Sequence, residues 1–587
     1  MIVAMKKIAI IMQQKDAKEG IEALRSLGVV HVEHQQAPEG KDINLLQDDL
    51  SLASHALKIL LEEGLAKEPK GKDIDRAFSD WRFTARHIID LWKRLDHLKT
   101  YYSQLIQQIN DWQDWGDFQP ESIRRLAEKN IYVGLYKIPQ KDLPKLPKDL
   151  VIEKISLKAG MAYCAVVSLE RIDLGLKELE LPRLSLDSMQ KRLQEDKKVM
   201  EHIGAELNKC LCYQGGLKEV KKSLQKDIEF QQTLNGMAQI STLVYLIGYA
   251  PKDKEAQLLS LAAKEEWGTF ITEPLPEDNV PTLIRNPRWA SLINPVFKLM
   301  EVVPGYRELD VSPIFLLFLA LFFGMIIGDA GYGAIYFALT FLAQRKYGAK
   351  VKEKNVFFLF YLFSFCAIIW GLLTGTLFGQ QWYLARGFKA LAPALNNAKF
   401  LMAFCFLLGA FQLSLAHGWQ ALRKLPSLTA LADIGFICLL WVGFLLAKMF
   451  ILGDAFPAIG LWLAWTGIIL IILFVSPRKN FLKTIGAGLG TLALGLVGNF
   501  GDVVSYIRLF AIGLAGVAVA DSVNALAAVA SGNIIAQTLI LFLGHSINIM
   551  LGPISVLVHG IRLNVLEFSL LHANVTWSGL AYKPLKE

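Results

Sequence analysis

The sequence predicts a two-part fold, with an N-terminal α+β domain over residues 1–310 and an α-helical membrane domain over residues 311–587. Charge separates the two parts, because the first 310 residues hold 44 Lys and Arg against 46 Asp and Glu, whereas the rest hold 18 and 8. Heptad repeats mark the first part, and long apolar runs mark the second. We expect eight transmembrane helices, the last two long and tilted, and two small α/β lobes joined by an antiparallel coiled-coil hairpin.

The first lobe is predicted by a strand–helix–strand pattern at the N-terminus. The segment "KKIAIIM" predicts a strand, and "AKEGIEALRSLGVVHVE" predicts a helix and a second strand. Two later segments, "TLVYLIGYAP" and "AQLLSLAAKEEWGTFITE", are expected to return and complete this lobe. The opening apolar run is too short for a secretory signal peptide, and charges follow it at once. We therefore expect the N-terminal domain to be cytoplasmic.

The coiled-coil hairpin is predicted by two runs of apolar residues whose spacings alternate between three and four. The seam positions of the two arms are Ile88, Leu91, Leu95, Leu98, Tyr102, Leu105, Ile109 and Trp112, then Leu186, Met189, Leu193, Met200, Ile203, Leu207, Cys210 and Leu217. Polar Asp196 and Gln214 occupy the remaining seam positions. The strand-like segments "NIYVGLYKI" and "AYCAVVSLE" between the arms predict the second lobe. An ordinary helical bundle is the alternative.

Eight apolar runs predict the membrane helices. They lie near 313–328, 330–344, 355–378, 399–420, 428–450, 457–476, 484–530 and 534–570. Loop charge sets the orientation, because twelve Lys and Arg residues fall on the predicted cytoplasmic side and four on the other. One long helix is the alternative to the first two short spans. It is disfavoured because the basic residues from Arg345 onward are expected on the cytoplasmic side, which requires an even number of crossings before them. Both termini are therefore expected inside, in a multi-pass protein of the cell membrane.

Several functional classes are disfavoured by the sequence. The six cysteines are scattered, and the Cys210–Cys212 pair lacks partners at zinc-ligand spacing, so we expect no metal site and no disulfide framework. The "GAGLG" segment follows no strand and lacks the GK[ST] ending of a phosphate-binding loop. The basic excess lies in short loops between apolar runs, which does not indicate nucleic-acid binding. We expect no cofactor and no catalytic centre.

An arginine within an apolar run is the most informative single residue. Arg508 in "YIRLF" stays charged, because the pKa of a guanidinium is above about 12, and its insertion costs roughly 2.5–3.5 kcal/mol at the centre of a spanning helix. The residues at helical spacing from it form a strip of small side chains: Ser505, Ala511, Ala515, Ala518 and Ser522. Close helix packing is the simpler explanation of that strip.

The run of 484–530 would form a helix about 70 Å long against a hydrocarbon core of about 30 Å, so it must break, protrude or tilt. On the facing run, His559 and Arg562 lie three residues apart on one helix face. Too few acids lie nearby to pair with both arginines, which suggests that a carboxylate of another protein pairs with Arg508. A permanent salt bridge between Arg508 and Asp502 is the main alternative.

These segments resemble subunit a of the V-type and archaeal A-type rotary ATPases, which is called subunit I in bacteria. "SYIRLFAIGLA" matches the most diagnostic motif of that family. "FFGMIIGDAGYG", "WGLLTGTLFG", "PTLIRNPRWASLINPVFKLMEVVPGYRELDVSP" and the opening "MIVAMKKIAII…LGVVHVE" match it elsewhere, so the resemblance covers essentially the whole chain. One departure is that no Asp or Glu occurs between Ile534 and His559, where eukaryotic relatives tend to carry a carboxylate.

The resemblance implies a stator against which a ring of proteolipid subunits turns, each with a buried carboxylate. Arg508 would lie between two half-channels, favour an ionised ring carboxylate and block a direct leak, with support from Arg562 and His559. The further half-channel candidates are Glu567, Asp433 and Asp502 on the cytoplasmic side and Asp521 and His545 on the outer side, with Ser505 beside the arginine. Asp329 is expected to cap the "GDAGYG" turn.

The same resemblance implies the partners. They are the proteolipid c-ring, the lipid bilayer, peripheral-stalk subunits bound by the N-terminal domain and, indirectly, the catalytic ATPase head that carries the ATP chemistry. The sequence leaves the choice between H⁺ and Na⁺ open. A secondary transporter with a solute site at Arg508 is the competing function, but the membrane half shows no internal repeat, and the long N-terminal rod would then lack a role.

Overall fold

The computed structural model describes the chain except residues 63–79, 142, 144–150, 159, 171–177, 352, 380–389, 478–480, 531 and 587. Two compact units are present. One comprises Met1–Met12, Ala23–Glu33 and Tyr245–Lys586, and the other comprises Gln13–Glu22 and His34–Val244. The first unit includes residues on both sides of residue 310. The division into an N-terminal domain over 1–310 and a membrane domain over 311–587 stays a prediction.

The strands are short and fall into two groups. They are β1 (Met5–Gln13), β2 (His31–Glu33), β3 (Tyr132–Pro139), β4 (Val151–Lys158), β5 (Met161–Ser168), β6 (Ala238–Ile240), β7 (Leu243–Pro251) and β8 (Gly268–Thr272). In the first sheet, β1 pairs antiparallel with β8 and β2 pairs antiparallel with β7. The segments predicted to open and to complete the first lobe therefore meet in one sheet, whose strand order is β2-β7-β1-β8.

Seven helices lie among the described residues before Gly268. They are α1 (Ala17–Leu27), α2 (Lys41–Glu62), α3 (Trp81–Trp112), α4 (Pro120–Glu128), α5 (Leu186–Lys209), α6 (Gln214–Asn235) and α7 (Glu255–Lys264). The N-terminal end of α3 packs on the C-terminal end of α5 through Ile88, Leu91, Ile203 and Leu207, so the two helices are antiparallel. Every predicted seam residue of the α3 arm is buried or partly buried.

The far end of this pair carries the second sheet. Its order is β3-β5-β4, with both pairings antiparallel. Strands β3 and β5 coincide with the two strand-like segments that the sequence indicated, whereas the sequence analysis missed β4. The side chains of β4 are mostly exposed, so it lacks the clear alternation that identifies a half-buried strand.

The membrane part is helical. Its helices are α8 (Asn294–Met300), α9 (Ser312–Ile327), α10 (Ala330–Tyr347), α11 (Asn355–Thr374), α12 (Ala398–Lys424), α13 (Ala430–Ala447), α14 (Ala458–Phe474), α15 (Phe481–Ser505), α16 (Ile507–Val529) and α17 (Ile534–Ser555). Five stretches of the described chain are long and apolar enough to cross a membrane: Asn355–Thr374, Ala398–Lys424, Ala430–Leu452, Leu482–Val529 and Ile534–His572. Ser312–Ile327 and Ala458–Phe474 are shorter apolar helices. The count of eight crossings stays a prediction.

The break between α9 and α10 rules out one long helix in this region. Gly328 adopts a left-handed conformation with φ of 65°, and Asp329 follows it. One carboxylate oxygen of Asp329 accepts hydrogen bonds from the backbone nitrogens of Gly331 and Tyr332, at 2.7 and 3.1 Å, and so caps α10. The expected role of Asp329 in this turn is confirmed.

The C-terminal tail pairs with the first sheet and the segments beside it, all within one unit. The backbone nitrogen of Leu585 donates to the carbonyl of Val30 at 2.9 Å, and that of Thr282 donates to the carbonyl of Leu580 at 2.7 Å. The Tyr582 hydroxyl donates to the carbonyl of Val29. Burial raises the pKa of Tyr582 to about 12, which keeps this donor protonated. The C-terminus therefore lies at the same end of the helices as the first sheet.

Candidate functional site

The long run of 484–530 breaks once, at Tyr506. Helix α15 ends at Ser505 and α16 begins at Ile507, and the Tyr506 side chain between them is fully buried. Its hydroxyl donates to Oε1 of Gln412 at 2.8 Å, and Nε2 of Gln412 donates to Oδ1 of Asn564 at 2.9 Å. This buried chain joins α12, the break and the last helical segment, and it fixes the backbone two residues before Arg508.

Arg508 and Arg562 share one carboxylate. Nη2 of Arg508 donates to Oε1 of Glu567 at 3.1 Å, and Nε of Arg562 lies 3.8 Å from the same oxygen. The exposed fractions of the side chains are 27% for Arg508, 53% for Arg562 and 5% for Glu567. Nη1 of Arg508 and Oε2 of Glu567 are buried without a hydrogen-bond partner among the described residues. The group of Arg508, Arg562 and Glu567 therefore retains one donor and one acceptor that its internal contacts do not use.

The shared carboxylate is placed by irregular helix geometry. After α17, the segments Val556–Gly560 and Leu563–His572 are π-helical, with five residues closing each hydrogen-bonded turn. Residues five apart, such as Arg562 and Glu567, then lie near one another, whereas a regular α-helix would point them in different directions. His559, in the first π-helical segment, lies within electrostatic range of both arginines.

Two expectations about the partner of Arg508 are corrected by this geometry. We expected no acid of this chain to pair with both arginines, but Glu567 contacts both. The alternative partner, Asp502, instead contacts the Nε2 atom of His572 at 3.0 Å. The reason is the π-helical geometry, which a sequence interpretation in α-helical turns does not include. Glu567 thus lies beside the two arginines and apart from Asp433 and Asp502, although the sequence predicted all three as residues of the cytoplasmic half-channel.

Asp502 and Asp433 are joined by two histidines. Asp502 contacts Nε2 of His572 at 3.0 Å. Nδ1 of His572 lies 3.0 Å from Nε2 of His417, and Nδ1 of His417 lies 3.4 Å from Asp433. The ammonium of Lys424 donates to the other Asp433 oxygen at 2.7 Å. His417, His572 and Asp433 are each less than a tenth exposed. We call these five residues the inner cluster.

The inner cluster lines an open cavity of about 730 Å³ between α12, α13, α15 and the end of the last helical segment. Gln420 supports it, because its amide donates to the backbone carbonyl of His572 at 2.6 Å while its oxygen accepts from Asn574 at 3.2 Å. The C-terminal tail continues from Asn574 toward the first sheet. The inner cluster therefore lies at the end of the helices that faces that sheet.

A second polar group, the outer cluster, surrounds His545. Nδ1 of His545 lies 2.7 Å from the Tyr332 hydroxyl, and its Nε2 lies 3.1 Å from Oδ1 of Asn524. Asn548 donates to the same Tyr332 hydroxyl at 3.1 Å and to the carbonyl of Gly516 at 2.9 Å. These four residues join α10, α16 and α17. His545 is the member that the sequence analysis had named.

The remaining candidates take different positions. Asp521 is exposed on α16, one residue after buried Ala520. The Ser505 hydroxyl donates to the backbone carbonyl of Asp502 at 2.7 Å, so it closes the last turn of α15 and does not contact the arginine pair. Within the described part of the chain, no group of three or more His, Cys, Asp or Glu side chains could hold a metal ion.

The three polar groups succeed one another in space along two helical runs, α15–α16 and residues 534–572, which the chain follows in opposite directions. Along α15 and α16 the order is Asp502, Arg508 and Asn524, spaced by about 9 Å and about 24 Å at the rise of an α-helix. Along the last helical run the order is reversed, with His545 first, then Arg562 and finally His572. The arginine–glutamate group thus lies between the outer and inner clusters.

Several members of these groups were missed at the sequence level. They are His417, His572, Tyr332, Asn524, Asn548 and the supporting Gln412, Gln420 and Asn564. A usable signal existed on α12, where His417, Gln420 and Lys424 follow at spacings of three and four near the end of a largely apolar helix. Polar residues on one face of a membrane helix are expensive and face a partner or cavity.

Comparison with known proteins identifies the family. The chain is 30% identical to "V-type ATP synthase subunit I" of Borreliella burgdorferi over 613 aligned positions, which cover 100% of both chains. The chain belongs to the subunit I family of V-type ATP synthases. It is also 28% identical to "V-type ATP synthase subunit I 1" of Treponema pallidum, again over 100% of both chains. The recognition made from the sequence motifs is confirmed.

Other similarities to subunit I are partial or weak. "A-type ATP synthase subunit I" of Methanocaldococcus jannaschii is 27% identical over 51% of this chain and 48% of its own length. A crystal structure of the cytoplasmic N-terminal domain of subunit I, a homolog of subunit a of V-ATPase, aligns with 46% of this chain and 100% of its own. Its identity is 16% and its TM-score 0.26, so it carries no argument about the fold. No family model matches the chain.

Proposed function

We propose that this subunit I chain is the stator and ion-channel subunit of a rotary V/A-type ATPase. It would form two offset half-channels against a proteolipid ring and couple rotation of that ring to ion movement across the membrane. The observation that supports this most is the order of the polar groups: an outer cluster, an arginine pair and an inner cluster succeed one another along both long helices. ATP hydrolysis or synthesis would take place on other subunits.

Arg508 would act as the fixed charge that each ring carboxylate must pass. At about 4 Å and an effective dielectric constant near 20, the attraction between the two charges is on the order of 4 kcal/mol. That energy favours release of the ion from the ring carboxylate, yet rotation can still break the contact. The partly exposed guanidinium, with one buried nitrogen unpartnered in the described part, supports a second carboxylate partner.

The two polar clusters would form the half-channels. The inner cluster and its 730 Å³ cavity are the proposed cytoplasmic route, with Asp502 nearest to Arg508 along the helix. His545 and its neighbours are the proposed outer route, and exposed Asp521 would lie near its entrance. Arg562 would hold the potential around Arg508 positive, His559 would support the site from the neighbouring π-helical turn, and Glu567 would orient the Arg508 guanidinium.

The N-terminal domain would connect the membrane part to the rest of the motor. We propose that it is cytoplasmic, that it binds peripheral-stalk subunits and that it thereby reaches the catalytic head indirectly. The antiparallel pairing of α3 with α5 supports a tether. The C-terminal tail, paired with the first sheet, would be cytoplasmic as well.

Substitution of Arg508 tests the proposal. Arg508→Ala in the assembled complex should abolish ATP-driven ion pumping into vesicles, because the guanidinium that each ring carboxylate must pass between the two half-channels would be missing. Arg508→Lys should also lose nearly all pumping, since a single ammonium cannot reproduce the forked donor geometry of a guanidinium. Subunit composition after purification is the assembly control. Pumping retained by assembled Arg508→Ala would reject the stator-charge function.

A further inference from the structure

We infer that Asp502, His572, His417 and Asp433 form a proton relay, so that the ion carried by the inner route is H⁺. We call these four residues the relay. The inference rests on the proposed function and deepens it, because it names the ion that the stator conducts and gives a role to two histidines outside the sequence-level candidates. It follows from the unbroken chain of contacts, from the donor and acceptor atoms of the two imidazoles, and from the positive charge of Lys424 beside Asp433.

The relay has no gap along its length. Its three steps measure 3.0 Å from Asp502 to His572, 3.0 Å between the two imidazoles and 3.4 Å from His417 to Asp433. Each imidazole contacts one neighbour through Nδ1 and the other through Nε2, which is the arrangement required for accepting a proton on one side and donating on the other. Asp502 and Asp433 lie on different helices, so the imidazoles bridge a space that the carboxylates alone do not.

The proton balance is simple. A proton arriving on Asp502 passes to Nε2 of His572, the Nδ1 proton of His572 passes to Nε2 of His417, and the Nδ1 proton of His417 passes to Asp433. One proton enters, one leaves, and both rings end in the opposite tautomer. Each ring returns to its first tautomer when it releases the Nε2 proton to the adjoining cavity and takes up a proton at Nδ1, with no net change in protons. Transfer in the other direction uses the same bonds.

A sodium ion fits this path poorly. Hard cations bind oxygen ligands, and the middle of the path consists of two imidazole nitrogens in direct contact. The Lys424 ammonium, 2.7 Å from Asp433, places a positive charge where a metal cation would have to leave. The two histidines are almost fully buried, with exposed fractions of 8% and 3%. Along the hydrogen-bonded path itself a proton needs only the hydrogen bonds, whereas a metal ion would have to leave that path for the adjoining cavity.

The ion test uses the purified, reconstituted complex. In vesicles free of added Na⁺, ATP should drive internal acidification, and ²²Na⁺ should not accumulate when it is supplied. ATP-driven ²²Na⁺ uptake that persists with a protonophore would overturn the inference, because it would show that the ion bypasses the imidazoles through the adjoining cavity.

Variants test the relay itself. His572→Gln and His417→Gln keep a hydrogen-bonding side chain of similar length but cannot pass a proton, so pumping should fall about 100-fold or more while the complex stays assembled. The matched control is Ser414→Ala on the same helix as His417, where the hydroxyl contacts the carbonyl of Ala410 at 2.6 Å. Pumping by either Gln variant at the rate of the control would overturn the relay.

A rescue experiment separates proton transfer from packing. In His572→Ala and His417→Ala, added imidazole should restore part of the pumping, since a free imidazole can enter from the adjoining cavity and carry the proton. The signal is a membrane-potential dye, because imidazole dissipates pH differences. Absence of rescue in assembled complexes of both variants would overturn the relay. If Arg508→Ala abolishes pumping but the His variants do not change it, only the relay fails and the proposed function stands.

Discussion

Two cations, Arg508 and Arg562, share the single carboxylate of Glu567. With Glu567 ionised, the group carries one uncompensated positive charge, held partly out of water. Burying a charge without a partner is costly, so the free energy of this arrangement improves when a second carboxylate approaches. In the proposed motor that carboxylate belongs to the ring. Glu567 would then moderate the attraction, so that each visiting carboxylate can leave again.

Replacement of Glu567 tests this moderating role. Glu567→Gln removes the internal anion, so both arginines should hold a ring carboxylate more tightly and slow its departure. A hydrogen bond to a charged group contributes about 1.5–3 kcal/mol, which corresponds to a pumping rate reduced about tenfold or more. Initial rates of ATP-driven pumping measure this effect, and the rate should still exceed that of Arg508→Ala.

Asp454→Asn is the control for charge alone. Asp454 pairs with Lys448 at 3.0 Å, with side chains 50% and 33% exposed, and such surface pairs contribute little. Its pumping rate should match that of the unmodified complex. A Glu567→Gln rate indistinguishable from this control would show that Glu567 does not moderate Arg508.

At this scale the sequence analysis predicted the charged residues better than their contacts. A charge in an apolar run is visible without a structure, and it identified Arg508, Arg562 and His559. The pairing of Glu567 was not predictable, because it depends on π-helical turns that shift residues five apart onto one face. His572 was missed for a different reason, because its partners His417 and Asp502 are distant in the sequence.

Glycines set the closest approach between two membrane helices, α10 and α11. A Cβ at Gly371 would overlap the backbone nitrogen of Ala330, and one at Gly333 would lie 2.8 Å from the backbone nitrogen of Ile368. Small residues allow helix backbones to approach closely in membranes. This contact holds the capped N-terminal turn of α10, which also carries Tyr332 of the outer cluster.

A matched pair of glycine substitutions tests the element. Gly371→Ala should force α10 and α11 apart and destabilise the subunit by about 1–3 kcal/mol, as overpacking does elsewhere. Gly418→Ala is the control, because a Cβ there would enter open space while alanine favours the helix. The measurements are the melting temperature and the assembled fraction on size-exclusion chromatography. Equal values for the two variants would contradict the close-packing argument.

Regular elements were predictable because their patterns are local. Heptads and long apolar runs identified α3, α5 and the membrane helices, and a glycine followed by a capping aspartate identified the break after α9. The break at Tyr506 was predicted only as one of three possibilities for an over-long run. Its position depends on Gln412 and Asn564, which lie far away in the sequence and become neighbours only in the folded bundle.

For the whole molecule, the surface of α16 is the proposed contact with the ring. The strip of Ala511, Ala515, Ala518 and Ser522 is exposed along this helix, and Arg508 lies at its start. Close packing of a partner helix against small residues would bring a carboxylate to the arginine. The proposed ring supplies such a helix from each of its subunits.

The most direct test is a cryo-EM structure of the assembled complex, in which the distance from the Arg508 guanidinium to the nearest carboxylate of another chain is measured. We predict a ring carboxylate within about 4 Å in at least one rotational state, with the ring helices against the α16 strip. A structure in which lipid covers that strip and Arg508 contacts Glu567 alone in every state would contradict the account.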